Sequence, residues 1–298
     1  MRATPRAVEY RRLGRLLMRT VGIDEAGYGP LVGPLVCAAV EFDGAPEEFE
    51  RTLERWTLEV ADSKALYSGP DTLWRLESVT LSMLDPVPRR VGELLEALVG
   101  PCERPFYLDP DRPLPIHRRT RIERPPARIR TRVGLRTAAA FNAAHRRLPT
   151  KAEIAWELVA AHIVRVASED GPLAVLVDRQ GGRRFYAGHL LRALGTMVNS
   201  VRENAEQSVY RLPRREGAVE IRFITRGDGR FRAVGLASVA AKYVREVFID
   251  ALNRWLGERE LHDGRLNGYG AQRRLARRLA ELLQKNHGVD AGAFLRRV

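Results

Sequence analysis

Residues 21–36 read V-G-I-D-E-A-G-Y-G-P-L-V-G-P-L-V. A short apolar run, Thr20 to Ile23, stops at an adjacent acid pair, Asp24–Glu25. A second apolar run, Leu35 to Val40, follows. Gly27, Gly29, Pro30, Gly33 and Pro34 punctuate the connection. The pattern predicts strand, glycine-rich turn, strand. Two acids on the end of a buried strand are an electrostatic oddity, because buried charge is costly unless it is neutralised.

Two further apolar strands end in acid. Leu173 to Val177 is a fully apolar run that stops at Asp178. Val219 to Ile224 alternates as a strand and runs into Arg226-Gly227-Asp228. A carboxylate at a strand end either caps a turn or joins a site at the sheet's edge, and spacing does not decide between them. Were these ends to meet, four carboxylates would repel one another unless a cation sat among them. Oxygen-only ligands select Mg²⁺ or Mn²⁺. Two such ions on shared carboxylates suit in-line attack of water on a phosphodiester. No histidine or cysteine nucleophile presents itself. His117, His145, His189, His262 and His287 are scattered, and Cys37 lies in an apolar run that reads as core. Cys37 and Cys102 alone make no disulfide framework.

Outward from these strands, helices are predicted over 150–167, 184–194, 235–256 and 272–285. Thr150 is the expected cap of the first, with Glu153 completing a capping box. Residues 100–126 hold seven of the chain's 17 prolines, which forbids a continuous helix or central strand. Arg128 to Val133 alternates basic and apolar residues, as a half-exposed edge strand does. The segment from about 100 to 126 therefore reads as a surface insertion. The order of elements predicts an α/β fold, a mixed central sheet with helices on both faces. A basic arm over 1–18 is expected to precede a single domain over 19–298.

The 298 residues carry a net charge of +13, which favours an anionic partner, nucleic acid first. Only Lys64, Lys151, Lys242 and Lys285 are lysines, so part of the arginine excess reads as GC-rich coding. No apolar run reaches 18 residues and no secretory signal opens the chain. A cytoplasmic protein without a membrane partner is expected. The glycine-rich turn lacks the G-K-[ST] of a P-loop.

The stretch 21–36 resembles the opening signature of the type 2 ribonuclease H family, the bacterial ribonucleases HII and HIII. Further resemblances follow in that family's order. They are Ala61-Asp62-Ser63-Lys64, Val175 to Asp178, Arg226-Gly227-Asp228, Ala237-Ser238-Val239-Ala240-Ala241-Lys242 and Asn267-Gly268-Tyr269-Gly270. The resemblance implies a ribonuclease H-like fold and a metal site of Asp24, Glu25, Asp178 and Asp228 holding Mg²⁺ or Mn²⁺. It implies endonucleolytic cleavage of the RNA strand of an RNA/DNA hybrid or ribonucleotide-containing duplex, leaving 5′-phosphate and 3′-hydroxyl ends. Gly27, Tyr28, Gly29, Lys64, Ser238, Lys242 and Tyr269 are the implied substrate contacts. Glycines let backbone amides approach a 2′-hydroxyl, the group that separates RNA from DNA.

The chain departs from that family at Tyr28, where Arg or Lys is usual, after Asp178, where Arg179-Gln180-Gly181-Gly182 stands in place of a glycine, and over about 85–150, a Pro/Arg-rich insertion that the family's motifs leave unmatched. Two competing readings follow. One is a weak or inactive protein that binds hybrids or structured nucleic acid on the same fold. The other is a nuclease acting on DNA junctions. Asp62 reads as a turn cap rather than a fifth ligand. Glu246 reads as no closer than an outer support to the site.

Overall fold

The computed structural model describes residues 18–60, 63–213, 217–262, 264–270 and 272–297. The expected basic arm, apart from Met18, and the Asp62 cap lie outside the described residues. The strands are β1 (Arg19–Ala26), β2 (Leu35–Asp43), β3 (Ile129–Arg136), β4 (Leu173–Asp178), β5 (Asn199–Glu203), β6 (Gln207–Pro213) and β7 (Ala218–Ile224). The helices are α1 (Pro46–Leu53), α2 (Ser63–Leu66), α3 (Leu73–Ser82), α4 (Val91–Leu98), α5 (Ala138–His145), α6 (Lys151–Ala167), α7 (Ala187–Leu194), α8 (Arg232–Gly257), α9 (Gln272–His287) and α10 (Ala291–Phe294). Among the described residues the strands form one sheet, ordered β3-β2-β1-β4-β7-β6-β5.

The sheet is mixed, as predicted. β1, β4 and β7 run parallel at its centre, and the outer pairs are antiparallel. Leu173 to Val177 of β4 are all buried, because helices cover both faces. β2 shows the two faces directly. Val36, Ala38 and Val40 pack with Leu236, Ala237 and Val239 of α8. Leu35, Cys37 and Ala39 face the other way, toward Ile154, Val159 and Ile163 of α6. Gly22 is what brings α8 so near. A Cβ there would lie 2.1 Å from the carbonyl carbon of Ala233, so helix backbone rests on strand backbone.

Thr150 caps α6 as expected, its hydroxyl accepting from Glu153 N at 3.3 Å. The Pro-rich segment is surface chain, but it is strapped down. Glu77 of α3 is fully buried and accepts from Ile116 N at 2.7 Å, His117 N at 3.0 Å and the Tyr243 hydroxyl at 2.8 Å. The Ser78 and Ser82 hydroxyls each accept from the same segment, from Arg121 N and Glu123 N at 2.9 Å. The span from about 85 to 150 contains regular structure as well as the proline-rich chain. β3 is the sheet's edge strand along its whole length, and Val91, Leu94, Leu95 and Leu98 of α4 lie in the core.

Candidate active site

Parallel pairing brings the acids to one edge of the sheet. Ile23 lies opposite Val177, and Asp178 opposite Ile224, so Asp24, still paired to Ala38 of β2, comes to the same end of the sheet as Asp178 and the 225–228 turn. Gly227 N donates to Asp178 Oδ1 at 2.7 Å, and Gly229 N to Asp228 Oδ1 at 3.0 Å. Lys64, at the start of α2, sets its ammonium 3.7 Å from Asp228 Oδ2. Beside it, the Ser63 and Ser238 hydroxyls lie 2.9 Å apart, joining α2 to α8.

Strand alternation sends Asp24 toward α8 and Glu25 to the opposite face. Their surroundings differ accordingly. Burial first, then the charges of Glu25 and Asp178, raise Asp24 well above the usual carboxylate range, against the pull of the Ser238 hydroxyl and Glu25 N. Burial, then Asp178, push Glu25 up to about 7, while Gln180, Arg183 and Lys64 oppose the rise. Burial first, with Asp228 adding to it, lifts Asp178 to about 6, against the hydrogen bond from Gly227 N. The four acids thus form a chain of mutual repulsion. Glu25 Oε2 is buried with no hydrogen-bond donor. A donorless buried oxygen beside repelling carboxylates suits an oxygen-seeking divalent cation. As they stand, no three acid, His or Cys side chains among the described residues close into an ion cage.

The turn after β1 lies over this edge. Gly27 has φ 86°, and a Cβ there would sit 2.5 Å from Pro34 O and 2.9 Å from Arg245 Cδ, so only glycine fits. Tyr28 and Tyr269 are both exposed. Tyr269 flanks Gly29, its ring 3.5 Å from where a Gly29 Cβ would be. Each tyrosine carries a cation on one ring face: Lys151 Nζ is 4.9 Å from the Tyr28 centroid, and the Arg245 guanidinium 5.3 Å from that of Tyr269.

Of the residues expected at the site, Asp24, Glu25, Asp178, Asp228, Lys64 and Ser238 meet at the strand ends. Gly27, Tyr28, Gly29 and Tyr269 form the turn above them. Lys242 is different: its ammonium binds Glu246 Oε1 at 2.9 Å and lies 4.8 Å from the Tyr67 ring centroid. It is engaged in an inner network rather than turned outward. Sequence reasoning missed Gln180, Arg183, Lys151 and Arg245. The only signal for the first two was their place in the atypical loop after Asp178. Gln180 is buried near Glu25 without closing a hydrogen bond, and Arg183 acts on both Glu25 and Tyr28 by charge.

The sequence model of the family described as ribonuclease HII matches residues 21–70. The match includes Asp24, Glu25 and Lys64 and stops short of Asp178 and Asp228. Solved structures match far more of the chain. The ribonuclease HII of Archaeoglobus fulgidus, solved in complex with PCNA, is 19% identical, with 93% of this chain and 91% of that one covered and a TM-score of 0.50. Bst-RNase HIII in complex with Mn²⁺ is 17% identical over 99% and 70% of the two chains, with a TM-score of 0.51. Aquifex aeolicus RNase H3 is 18% identical over 93% and 71%, with a TM-score of 0.50. The fold is that of the type 2 ribonucleases H. The resemblance to that family therefore holds in sequence over the β1 region and in fold over nearly the whole chain. At these identities the type 2 ribonuclease H likeness establishes architecture, and chemistry has to be argued from the site itself. No curated protein sequence matches the chain. Among the described residues no helix is long and apolar enough to cross a membrane.

Proposed function

We propose that the protein is a metal-dependent endoribonuclease that cleaves the RNA strand of RNA/DNA hybrids, leaving 5′-phosphate and 3′-hydroxyl ends. The observation that carries this reading is the chain of repelling carboxylates Asp24, Glu25, Asp178 and Asp228 at one sheet edge. These four would hold Mg²⁺ or Mn²⁺. Bound there, such ions supply Lewis acidity for phosphodiester hydrolysis. The chain's own residues do the rest. Lys64 and Arg183 set positive charge beside the acids and draw the phosphate backbone toward them. The Gly27–Gly29 backbone can approach a ribose 2′-hydroxyl, and Tyr28 and Tyr269 offer ring faces beside it. Bst-RNase HIII, which has a similar fold, was solved in complex with Mn²⁺, and this supports the choice of ion.

The test is incubation of a labelled hybrid with Mg²⁺ and with Mn²⁺. Cleavage is expected with at least one of them, and Asp24→Asn or Asp178→Asn should each slow it by orders of magnitude. Equal rates for the variants and the parent would sink the assignment. Tyr28, the altered loop after Asp178 and the basic insertion favour a second reading, a hybrid-binding protein without turnover. That reading predicts salt-sensitive binding that survives Asp24→Asn, with no products under either metal. Cutting of all-DNA junctions would point instead to a different nuclease on this fold.

A further inference from the structure

The turn above the acids is held by a segment far away in sequence. Arg296 N donates to Leu31 O at 2.9 Å, and the Arg296 guanidinium donates to Pro30 O. Leu31 N in turn donates to Gly268 O at 3.1 Å, so both backbone groups of Leu31 are taken. One side chain on α5 anchors the segment that carries Arg296. Asn142 Nδ2 donates to Gly292 O at 2.9 Å and to Leu295 O at 2.8 Å, and Asn142 Oδ1 accepts from Arg297 N at 2.6 Å. Phe294 is buried, and the Arg296 guanidinium lies 5.2 Å from the Phe141 ring centroid.

Arg296 is an expensive way to make these contacts. It is 3% exposed, and its Nε has no hydrogen-bond partner. Burial first, then the nearby charge of Arg245, push its pKa down to about 9, which still leaves it charged at neutral pH. An apolar residue would fill such a space at less cost, because buried charge pays heavily for lost hydration. What an apolar residue lacks is a donor aimed at Pro30 O.

We infer that Arg296 is a positioning residue for the Tyr28–Leu31 turn. The 290–297 segment, anchored to α5 by Asn142, sets how closely Tyr28 and Gly29 approach a bound hybrid. That last use rests on the nuclease reading above; the hold on the turn does not. β1 keeps Asp24 and Glu25 in place through its own pairing with β2 and β4, so the segment governs contact with substrate rather than the acids.

The experiment compares the full-length parent with Arg296→Leu, Asn142→Asp and Arg296→Lys. For Arg296→Leu and Asn142→Asp, hybrid cleavage should show KM raised about tenfold, the equivalent of one lost charge-assisted hydrogen bond, with kcat within about twofold. Arg296→Lys keeps a donor for Pro30 O and should recover most of the KM. The melting temperature of Arg296→Leu should match or exceed the parent's, since an apolar side chain replaces a buried charge. A purely structural role would give the opposite pattern: lower melting temperature, kcat reduced with the active fraction, and KM unchanged. Amide hydrogen exchange supplies an arm independent of activity. Residues 27–33 should exchange about tenfold faster in Arg296→Leu while β4 is unaffected. Unchanged exchange at 27–33 would overturn the proposal. If the parent cuts no hybrid at all, the nuclease reading falls and the exchange result alone decides the hold on the turn.

Discussion

Glu246 offers a severe test of how the site is supported. Its carboxylate is 3% exposed. It accepts from Arg245 at 2.6 Å, the Tyr67 hydroxyl at 2.7 Å, and Lys242 and Arg265 at 2.9 Å each. Burial alone would raise its pKa, but Arg245 and then Lys242 hold it below the ordinary carboxylate value. Glu246→Ala strands Arg245, whose side chain is 1% exposed, directly beneath Gly27. Breaking a buried ion pair from one side costs about 3–5 kcal/mol. Over the 298 residues of the chain, unfolding entropy at the midpoint is about 0.6 kcal/mol per degree. The expected drop in Tm is therefore about 5–8 °C. The assay is thermal unfolding followed by circular dichroism. Adding Arg245→Met removes the stranded cation and should recover most of the loss. A single-variant shift under about 2 °C, or a double variant no better than the single, would refute the reasoning. The sign of the pH effect is fixed too. A depressed carboxylate pKa gives stability that is present above the unfolded value of 4.5 and lost as pH falls through the folded one, so the two melting curves should converge in acid.

Three shorter predictions accompany it. His162 is buried, its Nε2 donates to the Cys37 carbonyl at 3.2 Å, and burial pushes its pKa down to about 4. The unfolded chain binds a proton near pH 6.5 that the folded chain refuses. Stability should therefore climb by up to about 3 kcal/mol between pH 4 and 6.5, and His162→Gln should flatten that climb in urea unfolding; an unchanged slope argues against it. Gly22→Ala should cost more than about 3 kcal/mol or prevent folding, because α8 cannot retreat from β1 without opening the core; a variant as stable as the parent would contradict the contact. Glu77→Ala should release the strap at 116–123 and expose it to limited proteolysis, with hybrid cleavage affected less than stability; protection equal to the parent's would show that the carboxylate does not hold it.

Much of the centre was legible in the sequence, for reasons particular to its residues. β4 is apolar without a break because both faces are covered, and the acid that ends it stands out against that run. Gly27 and its neighbours announced a turn that no side chain could make. Other features left no such trace. β5 is exposed along its length and so lacks the alternation by which a half-buried strand is read. β3 was legible, since Arg128 to Val133 alternates as a half-exposed edge strand does, while the proline-rich chain before it gave no sign of the contacts by which Glu77, Ser78 and Ser82 hold it. The support beneath the turn was invisible, since Asn142, Arg245 and Arg296 are unremarkable polar residues until folding places them against it. Glu246 was taken for an outer support and proved to be the carboxylate of a buried cluster of cations.

The sheet order has a consequence in time. β1 and β7 flank β4, yet Asp24 and Asp228 are separated by about 200 residues of chain. A ribosome needs roughly ten to forty seconds to cover that distance. For most of that interval the newborn chain carries its first acid pair without Asp178, and for all of it without Asp228 or the α8 cover. Whatever these acids do together has to wait until residues 24 to 257 have all been made.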